Sequence, residues 1–407
     1  MSIIHQSKSD WLFTMVKITV RMARILPISL VLFLTTSDVG YGQEELPTNP
    51  LQGRYVFEQK GCVKCHMPDG AGPDLMENEY YGSALDLAST MWNHLPRMML
   101  EIKDQGLSFP NFTSNEFSDL LTYIFYLRYL GKPGKPEAGA TIFSQKGCAR
   151  CHTLAGQGGN RGPALDTLSQ FVSPLFLAQA LWNHGPQMGE EIENSGMEFP
   201  QFQKEEMVDL QAYIRSAGSQ AEKKRIFQSP GNPQNGKLLF REKGCINCHK
   251  IGEEGNDEAP NLEYRQWDLS VNEIAAILWN HSLDMHQLME EKNLIWPHFT
   301  SSEMADVIAY LYFMGFNHYP GDYESGEKAF REKGCVQCHA INPGSLPDNI
   351  GANLNLSSGI TMAQLMWNHA PLMETKASKK VVDWPELSGG EMSNIYWYLK
   401  TLMKKEN

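Results

Sequence analysis

Four stretches of the chain carry the same pattern of polar and apolar positions. NEFSDLLTYIFYL (115–127), EEMVDLQAYI (205–214), SEMADVIAYL (302–311) and GEMSNIYWYL (390–399) each start acidic and continue with apolar residues at helical spacing. Each predicts an amphipathic helix with one face toward a core. Tyr123, Tyr213, Tyr310 and Tyr398 stand seven residues after Glu116, Glu206, Glu303 and Glu391, so they occupy equivalent positions and read as core. A second, shorter pattern precedes each by some sixty residues: GRYVFEQKGC, GATIFSQKGC, GKLLFREKGC and GEKAFREKGC. Each reads as one short helix, with Gly53, Gly139, Gly236 or Gly326 at its start and Phe57, Phe143, Phe240 or Phe330 further along. Pro- and Gly-rich stretches at 131–139, 229–236 and 317–326 mark turns or linkers between the copies. The pattern predicts a mainly α chain built from four copies of one unit.

Composition supports a packed protein. Of 407 residues, 42% are hydrophobic and 20% charged, enough chain for several domains. The net charge of −12 argues against nucleic acid as a partner and suits a protein with a basic docking face. At the N-terminus, Lys8, Lys17, Arg21 and Arg24 precede the apolar run 25–36, and Gly40-Tyr41-Gly42 supplies small residues before Gln43. That run is short for a spanning helix, which needs about 20 residues. The segment 1–42 therefore reads as a signal peptide, with an uncleaved membrane anchor as the alternative. Either way the bulk of the chain is expected outside the cytoplasm, in the periplasm, where free thiols ordinarily pair.

All eight cysteines are otherwise claimed. Each short helix runs into KGCVKCH (60–66), KGCARCH (146–152), KGCINCH (243–249) or KGCVQCH (333–339). The pairs Cys62/Cys65, Cys148/Cys151, Cys245/Cys248 and Cys335/Cys338 leave none over, and His66, His152, His249 and His339 follow directly. C-x-x-C-H is the attachment motif of c-type heme. Two thiols form thioethers with the two vinyl groups of a porphyrin, and the bend between them sets the next His under the iron. Structural zinc would need pairs some 90 residues apart to combine, and leaves every closing His unexplained. A thioredoxin-like C-x-x-C wants a βαβ setting that the pattern lacks. Four heme c groups are the expected cofactors, with His66, His152, His249 and His339 as proximal iron ligands.

The first cysteines lie 86, 97 and 90 residues apart, a period of whole domains. With its entry helix, C-x-x-C-H and final helix, the chain resembles class I cytochrome c four times over, across nearly all of residues 50–404. The resemblance implies a mainly α fold of four tandem cytochrome c-like helical domains, each binding one covalent heme. The expected division is a signal peptide over 1–42 and domains over 43–134, 135–228, 229–319 and 320–407. It also implies that first and last helices cross, setting Phe57 near Tyr123. The family's Gly-Pro loop, whose Pro carbonyl holds the proximal His, is matched by Gly72-Pro73 and Gly162-Pro163. Ala259-Pro260 keeps the Pro and Gly351-Ala352 loses it.

One feature of that family is missing. Where it often carries M-P-x-F with an iron-binding Met, this chain reads FPNF (109–112), FPQF (199–202), WPHF (296–299) and WPEL (384–387). Phe109, Phe199, Trp296 and Trp384 cannot ligate iron. The candidates lie upstream, in WNHLPRM (92–98), WNHGPQM (182–188), WNHSLDM (279–285) and WNHAPLM (367–373). Each offers a His and, one helical turn on, a Met. Met98, Met188, Met285 and Met373 are favoured, because a long thioether reaches over a porphyrin readily and His/Met ligation is usual for such single-heme domains. His94, His184, His281 and His369 are the alternative, and an open iron remains a third. Pro96, Pro186 and Pro371 are expected to kink the turn between His and Met. Trp92, Trp182, Trp279 and Trp367 read as heme-pocket wall.

Six-coordinate hemes leave no position for substrate. The expected function is electron transfer by a periplasmic tetraheme cytochrome between a redox protein donor and acceptor, membrane-bound respiratory partners included, and not enzymatic catalysis. The alternative is an enzyme with one open heme that reduces peroxide or a nitrogen oxide. The third unit is the most unusual, since HSLDMHQ adds Asp284 and His286. A third reading makes the chain a docking subunit of a larger respiratory complex.

Overall fold

The apolar periodicity folds as helices. The computed structural model describes residues 50–407 except 76–81, 130, 167–172, 204, 218–230, 253, 263–268, 318–319, 340–355, 381–382 and 407. The segment 1–42 that reads as a signal peptide, and Gly351 with Ala352, lie outside the described residues. The first repeat contains α1 (Gln52–Gln59), α2 (Ala84–Asn93), α3 (Leu95–Asp104) and α4 (Ser114–Tyr129). The second has α5 (Pro136–Gln145), a two-residue hairpin of β1 (Thr153–Leu154) and β2 (Gln157–Gly158), α6 (Pro174–Asn194) and α7 (Glu206–Ser216). The third has α8 (Pro233–Glu242), α9 (Val271–Asn280), α10 (Ser282–Glu291) and α11 (Ser301–Met314). The fourth has α12 (Tyr323–Glu332), α13 (Gly359–Lys380) and α14 (Gly389–Glu406).

The acidic residue that opens each final helix has a local job. Glu303 and Thr300 form a capping box at the start of α11. Glu116 with Thr113 and Glu391 with Ser388 make the same reciprocal bonds, and Glu206 accepts from the backbone of Gln203. Such a cap satisfies backbone N–H groups that have no partner within the helix. The same carboxylates reach the lysine before each Gly-Cys: Lys60–Glu116, Lys146–Glu206 and Lys243–Glu303 each span 2.9 Å, and Lys333–Glu391 spans 3.0 Å. One glutamate thus caps the last helix and clips it to the entrance of the cysteine motif.

First and last helices of each repeat cross at the glycine that opens the entry helix. A β-carbon on Gly53 would lie 1.8 Å from the Asp119 carbonyl oxygen, and on Gly139, Gly236 and Gly326 at 2.0, 1.9 and 2.0 Å from those of Asp209, Asp306 and Asn394. Only glycine permits backbones so close. One turn further the aromatic pairs meet: Phe57–Tyr123, Phe143–Tyr213 and Phe330–Tyr398 at 5.7 Å between ring centroids, and Phe240–Tyr310 at 5.8 Å.

The repeats also pack on one another, out of chain order. α6 packs against α9, joining repeats two and three, while α2 packs against α13 and α14, joining repeats one and four. Repeats one and three share an aromatic core, in which Phe125 meets Tyr312, Phe313 and Phe316. The Tyr312 hydroxyl donates to the Phe125 carbonyl, and the Ala84 N–H donates to Phe316 O at 2.9 Å.

The two pairings are made by the same residues used four times. Trp279 Nε1 donates to Pro200 O at 2.6 Å and Trp182 Nε1 to Pro297 O at 2.8 Å. Trp92 Nε1 donates to Pro385 O at 2.7 Å and Trp367 Nε1 to Pro110 O at 2.9 Å. The neighbouring asparagine clasps the same loop through both its amide atoms. Asn280 donates to Phe202 O and accepts from Phe202 N, and Asn183 does so with Phe299, Asn93 with Leu387 and Asn368 with Phe112. All four indoles are buried, at 3 to 7% exposure. Each pair is therefore isologous, like a two-fold dimer built within one chain.

Proline does not track the helix breaks. The helix is interrupted at His94 and at His281, although the second site has Leu283 where the others have proline. It runs unbroken across Pro186 and Pro371. Proline removes the N–H that would bond the carbonyl four residues back. For Pro186 that carbonyl belongs to Trp182, and it accepts from Trp296 Nε1 of the third repeat at 3.2 Å. For Pro96 it belongs to Trp92, and it accepts from Trp384 Nε1 of the fourth repeat at 3.0 Å. An indole from the paired repeat supplies the donor that proline lacks.

Candidate cofactor sites

Each cysteine motif is built as one tight turn. Gly61, Gly147, Gly244 and Gly334 adopt φ of 83°, 79°, 85° and 78°, a left-handed conformation that ends the entry helix and suits glycine. A single 3-10 turn follows over Cys62–Lys64, Cys148–Arg150, Cys245–Asn247 and Cys335–Gln337. The N–H of each histidine then bonds the first cysteine's carbonyl, at 2.9 Å for His66 and His152, 3.0 Å for His249 and 2.8 Å for His339. Two thiols and an imidazole are thus fixed within one compact loop.

The imidazoles are oriented from behind. His66 Nδ1 lies 3.1 Å from Pro73 O, and His152 and His249 Nδ1 lie 3.0 Å from Pro163 O and Pro260 O. With Nδ1–H donating to a carbonyl, Nε2 is left as the ligating nitrogen. None of the eight cysteines forms a disulfide. Burial pushes the first thiol of each pair up, to about 11 for Cys62, Cys148 and Cys335 and about 12 for Cys245. Among the described residues, no group of three or more His, Cys, Asp or Glu side chains is arranged to hold a bare metal ion. The donor set fits thioether attachment of a porphyrin.

The second cysteines of the four pairs differ in cover, and Cys338 stands apart. It is exposed, whereas the other seven cysteines, Cys65, Cys151 and Cys248 among them, are partly buried. The first thiol of each pair packs against the core, while the second lies at the end of the 3-10 turn, so its cover must come from chain beyond the histidine. In the first three repeats a loop returns there: the N–H groups of Gly72, Gly162 and Ala259 bond the carbonyls of Cys65, Cys151 and Cys248 at 2.9, 2.8 and 2.9 Å. The corresponding stretch of repeat four, 340–355, lies outside the described residues. A thiol at the rim of the turn can still meet a porphyrin vinyl group, so exposure changes the surroundings of Cys338 and not its chemistry.

Cavities adjoin the two central motifs. One of about 330 Å³ is lined by Cys245, Cys248, His249, His281, Met285 and Trp182, among others. The other, of about 500 Å³, is lined by Cys148, Cys151, His152, His184, Met188 and Trp279, among others. Both candidate distal residues of each unit therefore face the cavity that holds the proximal histidine. Met98 and Met373 in the outer repeats are half-buried and pack against the core, as Met188 and Met285 do. His94 stands between α2 and α3, and His369 lies within α13. The rings of His339 and His369 are 6.2 Å apart between centroids.

The tryptophans read as pocket wall serve a different pocket from the one expected. Trp279 belongs to repeat three but lines the cavity of repeat two, and Trp182 of repeat two lines that of repeat three. Each is stacked on the residue that stands where the family often has methionine: Trp279 on Phe199 at 4.5 Å, and Trp182 on Trp296 at 4.3 Å. Trp92 meets Trp384 at 4.3 Å and Trp367 meets Phe109 at 5.5 Å in the outer pair. The aromatic substitutions at 109, 199, 296 and 384 are thus one half of the contacts between repeats. Reading each repeat alone missed this; the signal was the joint recurrence of Trp-Asn and of an aromatic-Pro loop.

Of the features that set the third repeat apart, Asp284 lines its cavity. His286 faces the Trp296 ring at 5.4 Å and the Glu290 carboxylate at 3.8 Å.

The family model described as cytochrome c matches residues 136–218 and 233–313, which contain the second and third motifs. No curated protein and no solved structure matches the chain. Cytochrome c segments with intact C-x-x-C-H turns point to covalent heme and to heme-based electron transfer.

Proposed function

We propose that the chain is an exported tetraheme electron carrier with one heme c at each motif, working between a redox donor and acceptor in the periplasm. The observation that carries the reading is the fourfold turn, in which two thiols and an imidazole recur with the same backbone bonds. The motifs of repeats one and four share this local geometry with the matched pair, and so do their Gly crossings and Lys–Glu clips. A bound heme supplies a one-electron iron couple. Around it the cysteines fix the porphyrin edge, the proline carbonyls of the first three repeats hold the histidine ring, and the apolar walls keep water away.

The pairing of repeats suggests how electrons would pass. Trp182 and Trp279 each line the cavity of the other's repeat, so the second and third sites share a wall of indole. The first and fourth repeats are clasped by the same bonds. Exchange would be within these pairs, and the shared core of repeats one and three would link them. The order along the protein would be two, three, one, four rather than the order of the chain. The net charge of −12 suits a partner with a basic docking face. Among the described residues, no helix is long and apolar enough to cross a membrane.

An intact mass of the protein purified from a host competent for heme attachment tests the reading. Four added porphyrins are expected, together with loss of the leader. A colourless product, or one with its thiols joined to one another, refutes it. Rapid stoichiometric binding of carbon monoxide or cyanide at one heme would favour the enzymatic alternative.

A further inference from the structure

We infer that the sixth ligand at each iron is the histidine of the W-N-H triplet, His94, His184, His281 and His369, and that the methionine one turn on is cavity wall. The inference rests on the heme reading above and reverses the preference drawn from the sequence.

Three observations converge. First, His369 faces the proximal His339 with 6.2 Å between ring centroids. Two imidazoles bound to opposite sides of one metal, with metal–nitrogen bonds of about 2 Å, place their centroids roughly 6 Å apart. The two rings already stand at the spacing that one shared iron requires.

Second, the two central distal rings are tethered as metal-binding histidines are. His184 Nδ1 lies 2.8 Å from Ala180 O and His281 Nδ1 2.7 Å from Ile277 O, each one turn back on its own helix. A donating Nδ1–H leaves Nε2 as the lone-pair nitrogen and raises its basicity. This is the arrangement that the proline carbonyls impose on His66, His152 and His249. In repeats two and three the tethered ring lines the same cavity as the proximal one.

Third, the methionines are not distinguished from their neighbours. The cavity of repeat two is lined by Met197 as well as Met188, and that of repeat three by Met289 and Met304 as well as Met285. Several thioethers around one apolar site are what a flexible lining looks like. The histidine is instead adjacent to Trp and Asn, whose bonds to the paired repeat anchor the turn that leads into it. A ligand next to so constrained a turn is held in position before the cofactor arrives. Two imidazoles also set a lower potential than His/Met ligation, so the carrier would serve donors and acceptors at the reducing end of a respiratory chain.

The test uses the full-length holoprotein. Its oxidised form should lack the near-infrared band of ferric thioether ligation and show low-spin signals of bis-imidazole type in electron paramagnetic resonance. His281→Ala should turn one heme in four high-spin and open it to carbon monoxide when reduced. Met285→Leu should keep all four low-spin. A thioether band in the unsubstituted protein that loses a quarter of its intensity in Met285→Leu would overturn the inference while leaving four hemes in place. So would an unsubstituted protein with an open, carbon monoxide-binding iron. The unsubstituted spectra decide the question even where His281→Ala fails to fold. Protein without heme refutes the function itself, an outcome visible by colour before any ligand is assigned.

Discussion

Replacing Asn280 by alanine should loosen the central pair of repeats without touching either cysteine motif. The side chain donates to Phe202 O at 2.8 Å and accepts from Phe202 N at 2.8 Å. Phe202 is buried, at 5% exposure, so both of its backbone groups lose a partner in a place that water reaches poorly. A buried polar group left unsatisfied costs about 1–3 kcal/mol. With two groups affected and partial relaxation, the expected loss is about 2–4 kcal/mol. For a cooperative unit the size of two repeats, that lowers the melting temperature by about 5–15 °C. Differential scanning calorimetry of the full-length holoprotein measures it, with the Soret band reporting heme-site integrity. Asn183→Ala removes the mirror-image clasp on Phe299 and should cost a similar amount. If the interface opens once either clasp is gone, the double variant will cost less than the sum. A change below about 0.5 kcal/mol for Asn280→Ala, the level of an ordinary surface substitution, would refute the argument that these bonds hold the repeats together.

Gly236→Ala should destabilise by about 3 kcal/mol, the top of the usual range for overpacking, because the new methyl would meet Asp306 O at 1.9 Å. Helix propensity alone predicts the opposite sign, so a thermal melt separates the two. Trp296→Phe should cost about 1–2 kcal/mol through the stranded Trp182 carbonyl. In a Pro186→Ala background, which restores a backbone N–H four residues on, the cost should shrink; an undiminished cost would deny that the indole substitutes for that donor. Acid should weaken the fold through the capping glutamates. The Thr113 N–H first, and then Lys60, hold Glu116 below its ordinary value of 4.5, and the Thr300 N–H with Lys243 does the same for Glu303. Their stabilisation is fully present above the unfolded value and fades as pH falls through the lower folded one. Melting temperatures should therefore drop on acidification below about pH 4.5, and less steeply in Glu303→Gln.

The sequence by itself determined everything whose partners are close along the chain. Cys62, Cys65 and His66 sit within one turn, and Gly61 before them needs no distant contact to take its left-handed conformation. The acidic starts of the final helices were readable because a capping box closes over three residues. Even the crossing that sets Phe57 near Tyr123 was legible, from four recurring copies and a family resemblance, whereas the close approach of Gly53 to Asp119 was not. The unequal cover of the second thiols was not, because Cys338 repeats the local motif of Cys65, Cys151 and Cys248 and differs from them only in its surroundings. What only the tertiary structure decided was the use of Trp-Asn and of the aromatic-Pro loops. Their bonds join residues 79, 115, 257 and 293 positions apart, and no periodicity within a repeat specifies which loop a given indole will find. That choice fell to the packing of whole repeats, two with three and one with four. Proline itself was a poor guide to helix breaks: the helix breaks at His94 beside a proline and at His281 without one, and the indoles that meet the freed carbonyls of Trp92 and Trp182 come from other repeats, with no signature in the local sequence.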